Sequence, residues 1–262
     1  MGTIRQVTTA IATFTVAMLF MAAAPVSAAS LEQLANGDQR SPENIARNAA
    51  RHPVQTLEFF GLKPDSTVVE LTPGGGWYTE IIAPYVNEKG QYYGANYDRQ
   101  MDAPFIKRVT EGFRAKLDSR PELYGNAKVT DLSTTDDRPI APDGSADLVV
   151  SFRNLHDWII RDQADTVFAK VFKALKPGGT FGIVEAREAA DKPQELKKHV
   201  GYVRQDYAIK IIEAAGFKFV GASEANANPK DTHDWGERGV FGMPKGFEGE
   251  SDRFTLKFQK PE

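Results

Sequence analysis

Thr67-Val-Val-Glu-Leu-Thr-Pro-Gly-Gly-Gly-Trp-Tyr-Thr-Glu80 is the stretch that decides the fold of this 262-residue chain. The run from Thr67 to Leu71 reads as a buried strand, the glycines as a tight turn, and Trp77 to Val86 as a helix. In a doubly wound sheet, ligands gather at the carboxyl ends of the strands. Glycines after the first strand let the backbone approach such a ligand beside a helix N-terminus. Chemistry is therefore expected at this turn. Thr72 occupies the first glycine position of a dinucleotide fingerprint, which is therefore absent. No Gly-Lys-Ser/Thr follows either, which excludes a phosphate-binding P-loop. Taken alone, a glycine triplet is equally a turn with no ligand.

Outward toward the C-terminus the alternation continues. Gln91 to Ala95 reads as a second strand, and Phe105, Ile106, Val109, Phe113 and Leu117 recur at helical spacing. A short strand around Lys128-Val-Thr130 precedes Asp131, and Asp147 to Phe152 is the clearest strand of all. Val167, Phe168, Val171, Phe172 and Leu175 predict a helix stopped by Lys176-Pro-Gly-Gly179, with a fifth strand from Thr180 to Glu185. Repeated strand-then-helix units with short links argue for a parallel sheet covered on both faces. A helix carrying Tyr207, Ala208, Ile211, Ile212 and Ala215 ends at Gly216, and Phe217 to Val220 forms a sixth strand. In the last strand Phe254, Leu256 and Phe258 alternate with Thr255, Lys257 and Gln259, the pattern of a half-exposed strand. Between these two lies a polar loop, about 222–252, with five glycines from Gly236 to Gly249. Its His233, Asp234 and Trp235 suit either a lid over an acceptor or a surface loop.

Toward the N-terminus, Ser41-Pro42-Glu43 starts a helix, Arg51-His52-Pro53 breaks it, and Val54 to Phe60 forms another closed by Gly61, so helices are expected over about 41–60. Residues 1–28 read as a signal peptide. Arg5 precedes an uncharged apolar stretch from Val7 to Pro25, and Val26-Ser27-Ala28-Ala29 suits cleavage after Ala28; an uncleaved anchor is the alternative. The mature chain, 29–262, is expected to be one domain, exported to the periplasm and without a stable membrane span. Its oligomeric state is not readable from the sequence.

Composition narrows the function. The chain is 41% hydrophobic and 26% charged, which fits a globular protein rather than a disordered or polytopic membrane one. With 32 Lys+Arg against 35 Asp+Glu there is no basic excess, which argues against nucleic acid as the partner. The absence of cysteine excludes disulfides, thiolate zinc sites, iron–sulfur clusters and a cysteine nucleophile. His52, His156, His199 and His233 are scattered and show no compact ligand spacing, so no metal site is expected.

Together with the glycine stretch, Arg51-His-Pro53, Phe59-Phe-Gly-Leu-Lys-Pro64, Phe152-Arg-Asn-Leu-His-Asp-Trp158 and Asp252-Arg-Phe-Thr-Leu-Lys-Phe258 make the chain resemble the class I S-adenosylmethionine-dependent methyltransferases. More narrowly it resembles a family of signal-peptide-bearing bacterial methyltransferase-like proteins, from about Ser41 onward. The resemblance implies an α/β fold, a Rossmann-like doubly wound seven-stranded sheet with a reversed last strand and helices on both faces. It implies S-adenosylmethionine as cofactor, with Glu70 ending the first strand and Gly74, Gly75 and Gly76 in the loop against the cofactor. Asp131, with Leu132 beside it, matches the position that meets the adenine amino group, and Ser151 lies beside the methionine part. Two positions depart from the pattern. Thr72 replaces a loop glycine, and Asn96 replaces the acid that grips both ribose hydroxyls. An amide offers one acceptor oxygen and donates from its nitrogen, so Asp98 is the candidate substitute. No Asn/Asp-Pro-Pro-Tyr segment follows the fourth strand, a departure from the families that methylate amino groups of nucleic acids.

Methyl transfer from a sulfonium is an in-line displacement that needs alignment and removal of a proton from the acceptor. His156, just beyond the fourth strand, is the candidate base; Arg153 and Asn154 are candidates to orient the acceptor, and Trp77, Tyr78 and Trp158 to wall it. Each has a plainer reading, a hydrogen-bonded structural histidine or a core aromatic. The expectation is an exported methyltransferase acting on a small-molecule acceptor. The alternative is an exported binding or interaction protein that retains the fold, since the cofactor is made in the cytosol. A nucleotide-dependent oxidoreductase is opposed by the missing fingerprint.

Overall fold

The computed structural model describes Gly2 and residues 29–262, so apart from Gly2 the signal-peptide reading of residues 1–28 lies outside the described residues. Ser30 caps a first helix, α1 (Leu31–Ala35), in a reciprocal capping box with Gln33, an element the sequence reading did not anticipate. Ser41 caps α2 (Pro42–Ala46) as expected, followed by α3 (Asn48–Arg51) and α4 (Pro53–Phe60). His52, at φ 38°, makes the break between the last two, and Gly61, at φ 84°, closes α4.

The sheet begins with β1 (Thr67–Leu71), followed by α5 (Thr79–Val86), β2 (Gln91–Tyr97), α6 (Pro104–Ser119), α7 (Pro121–Tyr124) and β3 (Lys128–Leu132). Then come β4 (Ala146–Phe152), α8 (Leu155–Ile160), α9 (Ala164–Ala174), β5 (Leu175–Ala186), α10 (Gln205–Ala214), β6 (Lys218–Ser223) and β7 (Arg253–Gln259). The seven strands lie in the order β3-β2-β1-β4-β5-β7-β6. All neighbours from β3 to β5 pair parallel, and β7 runs antiparallel to both β5 and β6. This is the Rossmann-like doubly wound sheet with a reversed last strand. Its strand order reverses at β1/β4, where a ligand crevice belongs.

Both faces are covered, so successive β1 residues enter different cores. Val69 and Leu71 pack with Val149, Phe168, Val171, Phe181 and Phe254 on one side, and Val68 packs with Leu57, Ile81, Ile82, Phe113 and Val150 on the other. Helix close approach requires glycine at Gly182, where an added Cβ would stand 2.6 Å from the Phe60 ring.

Three local expectations are corrected. The helix after the glycines starts at Thr79 rather than Trp77, because the turn through Gly76, at φ 81°, takes up Trp77 and Tyr78. Lys176-Pro-Gly-Gly179 does not precede the fifth strand but bulges out of it: Ala146 pairs with Leu175 and Leu148 with Thr180. The last strand is not half-exposed. β7 is paired on both sides and Thr255 is fully buried, its hydroxyl accepting from Asn226, whose amide also reaches Thr56 of α4. The exposed alternation belongs instead to the edge strand β6, where Lys218 and Val220 face solvent. The 222–252 segment includes a 3-10 turn, Gly236–Gly242. Among the described residues no helix is long and apolar enough to cross a membrane.

Candidate functional site

At the end of β1 the Thr72 amide donates to the Ala95 carbonyl (2.7 Å), carrying the ladder one step past the strand. The chain then turns through three left-handed residues, Thr72 (φ 46°), Gly74 (58°) and Gly76 (81°). Gly76 packs on the Phe113 ring, whereas a Cβ at Gly74 or Gly75 would meet nothing within 4 Å. That stretch of backbone is open to an approaching ligand. Glu70 lies behind the turn. Its carboxyl accepts from Thr79 Oγ1 (2.8 Å) and Tyr92 Oη (2.7 Å), fastening β1 to α5 and β2. Burial pushes it up to about 7, against the pull of those two hydrogen bonds. It supports the turn and does not reach the cavity.

A cavity of about 290 Å³ opens at the carboxyl ends of four adjacent strands. Thr72 enters it after β1, Tyr97 and Asp98 around the end of β2, Leu132 and Thr134 at the end of β3, and Asn154, Asp157 and Trp158 after β4. Phe105 and Ile106 of α6 add an apolar wall, and His199 stands at the rim.

The two ribose candidates separate clearly. Asn96 is buried; its Oδ1 accepts from the Tyr97 amide, its Nδ2 has no partner among the described residues, and it does not line the cavity. Asp98 does line it. Burial would raise its carboxyl, but the Gln100 amide (2.9 Å) and the Arg138 guanidinium (2.8 Å to each oxygen) hold it below the usual carboxylate range. Asp98 therefore presents a charged acceptor at neutral pH. Asp131 is engaged differently from the expectation for an adenine contact: Arg99 donates to both of its oxygens (2.7 and 2.9 Å) and Arg138 to one (2.9 Å). Leu132 beside it does reach the cavity. Arg99 and Arg138 were not singled out from sequence, because nothing in their local spacing signals a partner across the β2 and β3 ends.

At the end of β4, Ser151 is fully buried and accepts from Asn154 Nδ2 (3.1 Å), which also donates to the Leu71 carbonyl (3.1 Å). Asn154 thus ties β4 to β1 while lining the cavity; Ser151 supports it from below. Arg153, at φ 67°, turns away toward Ser251 (3.2 Å) and Glu185 (3.4 Å). Trp77 and Tyr78 are also not brought to the cavity. Trp77 lies between the guanidiniums of Arg40 and Arg51, at 4.4 and 4.8 Å from its ring, and donates to the Asn44 carbonyl. Tyr78 stacks on Phe152 at 3.5 Å and donates to the Arg51 carbonyl. They join the N-terminal helices to the sheet. Trp158 both lines the cavity and packs against Phe168.

His156 is buried, with Nδ1 2.9 Å from Glu185 Oε2, and it stands one layer behind the cavity wall. Burial would raise the Glu185 carboxyl, but His156, Arg153 and the Ala186 amide hold it below its ordinary range. The side chains at the cavity itself are Asp157 and His199, joined at 2.6 Å. Glu185 and His199 come from β5 and from the segment before α10, and neither carries a sequence signal.

Residues 69–183 match the family described as "Methyltransferase domain". Over most of its length the chain is similar in fold to solved structures. A SAM-dependent methyltransferase from Aquifex aeolicus matches with a TM-score of 0.59 at 16% identity, over 88% of this chain and 98% of that one. The [4+2]-cyclase SpnF matches at 0.58 and 15% identity, over 86% and 84%. The glycopeptide N-methyltransferase MtfA, complexed with S-adenosyl-L-methionine, matches at 0.54 and 13% identity, over 81% and 94%.

Proposed function

We propose that this chain, whose centre matches a methyltransferase domain, is an S-adenosylmethionine-dependent methyltransferase that acts on a small-molecule acceptor. The observation that carries the reading is the cavity at the ends of β1 to β4, lined by Thr72 and the ionised Asp98, with the open Gly74–Gly75 backbone following Thr72 in the chain. The donor set suits the cofactor: a carboxylate for vicinal ribose hydroxyls, apolar side chains for a planar base, and an unobstructed turn for the amino-acid end. When bound, S-adenosylmethionine supplies a methyl group on a sulfonium for in-line transfer.

Asp98 would accept from the ribose hydroxyls, and the Arg138 guanidinium, donating to both of its oxygens, fixes its orientation. Leu132 and Ile106 would enclose the base, and the Gly74–Gly75 backbone would receive the methionine portion. Asn154 holds the β1 and β4 ends at a fixed spacing, which sets where the acceptor stands relative to the donor. The acceptor side of the cavity is assigned to Asp157 and His199, with His156 behind them. Export after cleavage at Ala28 belongs to the same reading and rests on the pattern of residues 1–29.

Calorimetry with S-adenosylmethionine and S-adenosylhomocysteine tests it. Binding with a Kd on the order of micromolar is expected, weakened about 10–100-fold in Asp98→Asn, the cost of one charge-assisted contact. No heat at millimolar ligand refutes it. A labelled-methyl screen across small hydroxy, amino and thiol compounds then identifies the acceptor. Mass spectrometry of the native N-terminus, expected at Ala29, tests export, which an intact Met1 would overturn.

A further inference from the structure

We infer that His156, Asp157 and His199 form a binding site for one divalent transition-metal ion at the mouth of the cavity. Their candidate ligand atoms, two imidazole nitrogens and a carboxylate oxygen, all lie within 4.8 Å of one another. His156 Nε2 is 3.7 Å from Asp157 Oδ2, and His199 Nε2 is 2.6 Å from Asp157 Oδ1. Metal–ligand bonds of about 2.0–2.2 Å put ligand atoms roughly 3–4.4 Å apart, so small side-chain rotations seat one ion among the three.

The buried histidine is built as a metal ligand is built. His156 Nδ1 lies 2.9 Å from Glu185 Oε2, and its Nε2 faces the Asp157 carboxylate. A carboxylate behind the far nitrogen of a ligating histidine fixes its tautomer and ring orientation. Glu185 is itself held by the His156 and Ala186 amides at 3.2 and 2.8 Å, so this support does not move. His199 is held from the other side, its ring parallel to Phe241 at 4.6 Å and 5°.

The site is also accessible. The His199 and Asp157 side chains are 51% and 30% exposed, and both line the cavity, so remaining coordination positions face water and any bound acceptor. Two imidazoles and one carboxylate select the zinc, iron(II), cobalt(II) class over magnesium or calcium, which prefer all-oxygen sets. Asp157 and His199 are separated by 42 positions, which is why no ligand spacing shows in the sequence.

The inference stands apart from methyl transfer, because metal binding is measured without cofactor. The full chain, made without a polyhistidine tag and stripped with chelator, is titrated with cobalt(II) while visible absorption and heat are followed. One ion per chain is expected, with a d–d spectrum of low coordination that zinc displaces. His199→Ala and Asp157→Asn should each weaken binding by 10-fold or more while leaving the circular dichroism spectrum unchanged, since both side chains are at the surface. Glu185→Gln, acting through His156, should weaken it about 10–100-fold. Absence of saturable binding in the natural chain, or equal affinity and stoichiometry in the folded His199→Ala and Asp157→Asn variants, overturns the site.

Discussion

Replacing Glu70 by Gln should make the stability of this protein less sensitive to pH, and the size of the effect follows from the burial of one carboxyl. Glu70 lies under the glycine turn with Thr79 and Tyr92 on its Oε2, and burial lifts it to about 7 from an ordinary 4.5. The folded protein therefore holds this proton more tightly than the unfolded chain does. The resulting stabilisation is fully present below about pH 4.5 and is lost as pH rises through 7. A carboxyl moved that far costs the folded state about 3 kcal/mol once ionised. Glutamine keeps the acceptor oxygen for Thr79 and Tyr92 and cannot ionise. Urea denaturation of both proteins at intervals from pH 5 to 8 gives the difference in stability, in which titrations common to both cancel. The variant should gain on the natural protein by about 2–3 kcal/mol across this range, with equal m-values. A difference that stays flat with pH would refute the reasoning, and would mean that Glu70 is ionised throughout.

Gly182→Ala should lower stability by about 1–3 kcal/mol in thermal denaturation, because the new Cβ arrives 2.6 Å from the Phe60 ring in a filled core. Arg40→Met removes the buried donor to Glu80, to the Ala35 carbonyl (2.6 Å) and to Asn48 (2.8 Å); a loss of about 3 kcal/mol is expected in urea, the low end for a broken buried pair because Lys116 and Asn44 still hold Glu80. Gly74→Val forces a branched side chain into φ 58° at a cost of about 1–2 kcal/mol, while the space around it is free. It should therefore remain folded but lose cofactor binding, so wild-type affinity in calorimetry would contradict the placement of the turn.

The elements most legible in the sequence were those whose signal is local. The apolar run at Asp147–Phe152, the helical spacing from Phe105 to Leu117 and the Ser41-Pro42 start all lie within structural elements close to their expected bounds. Misreadings arose where pairing partners overrode the pattern. Thr255 alternates with Phe254 and Leu256 as a solvent-facing residue would, yet Asn226 and α4 bury it. Trp77 and Tyr78 follow the glycines as cavity walls would, yet the turn rotates them toward Arg40, Arg51 and Phe152.

The candidate site divides along the same line. By itself the sequence determined the sheet class, the glycine turn at Thr72–Gly76 and the acids at the ends of the second and third strands, because strand and turn signals depend on residues adjacent in the chain. Only the tertiary structure decided that Asp98 rather than Asn96 faces the cavity, since side-chain direction at the carboxyl end of β2 settles which of the two is presented. It alone showed Arg138 bridging Asp98 and Asp131, and brought His199 and Glu185 to His156 and Asp157. Those contacts join segments far apart in sequence, and burial, which sets both the charge of Glu70 and the orientation of His156, exists only once the layers have packed.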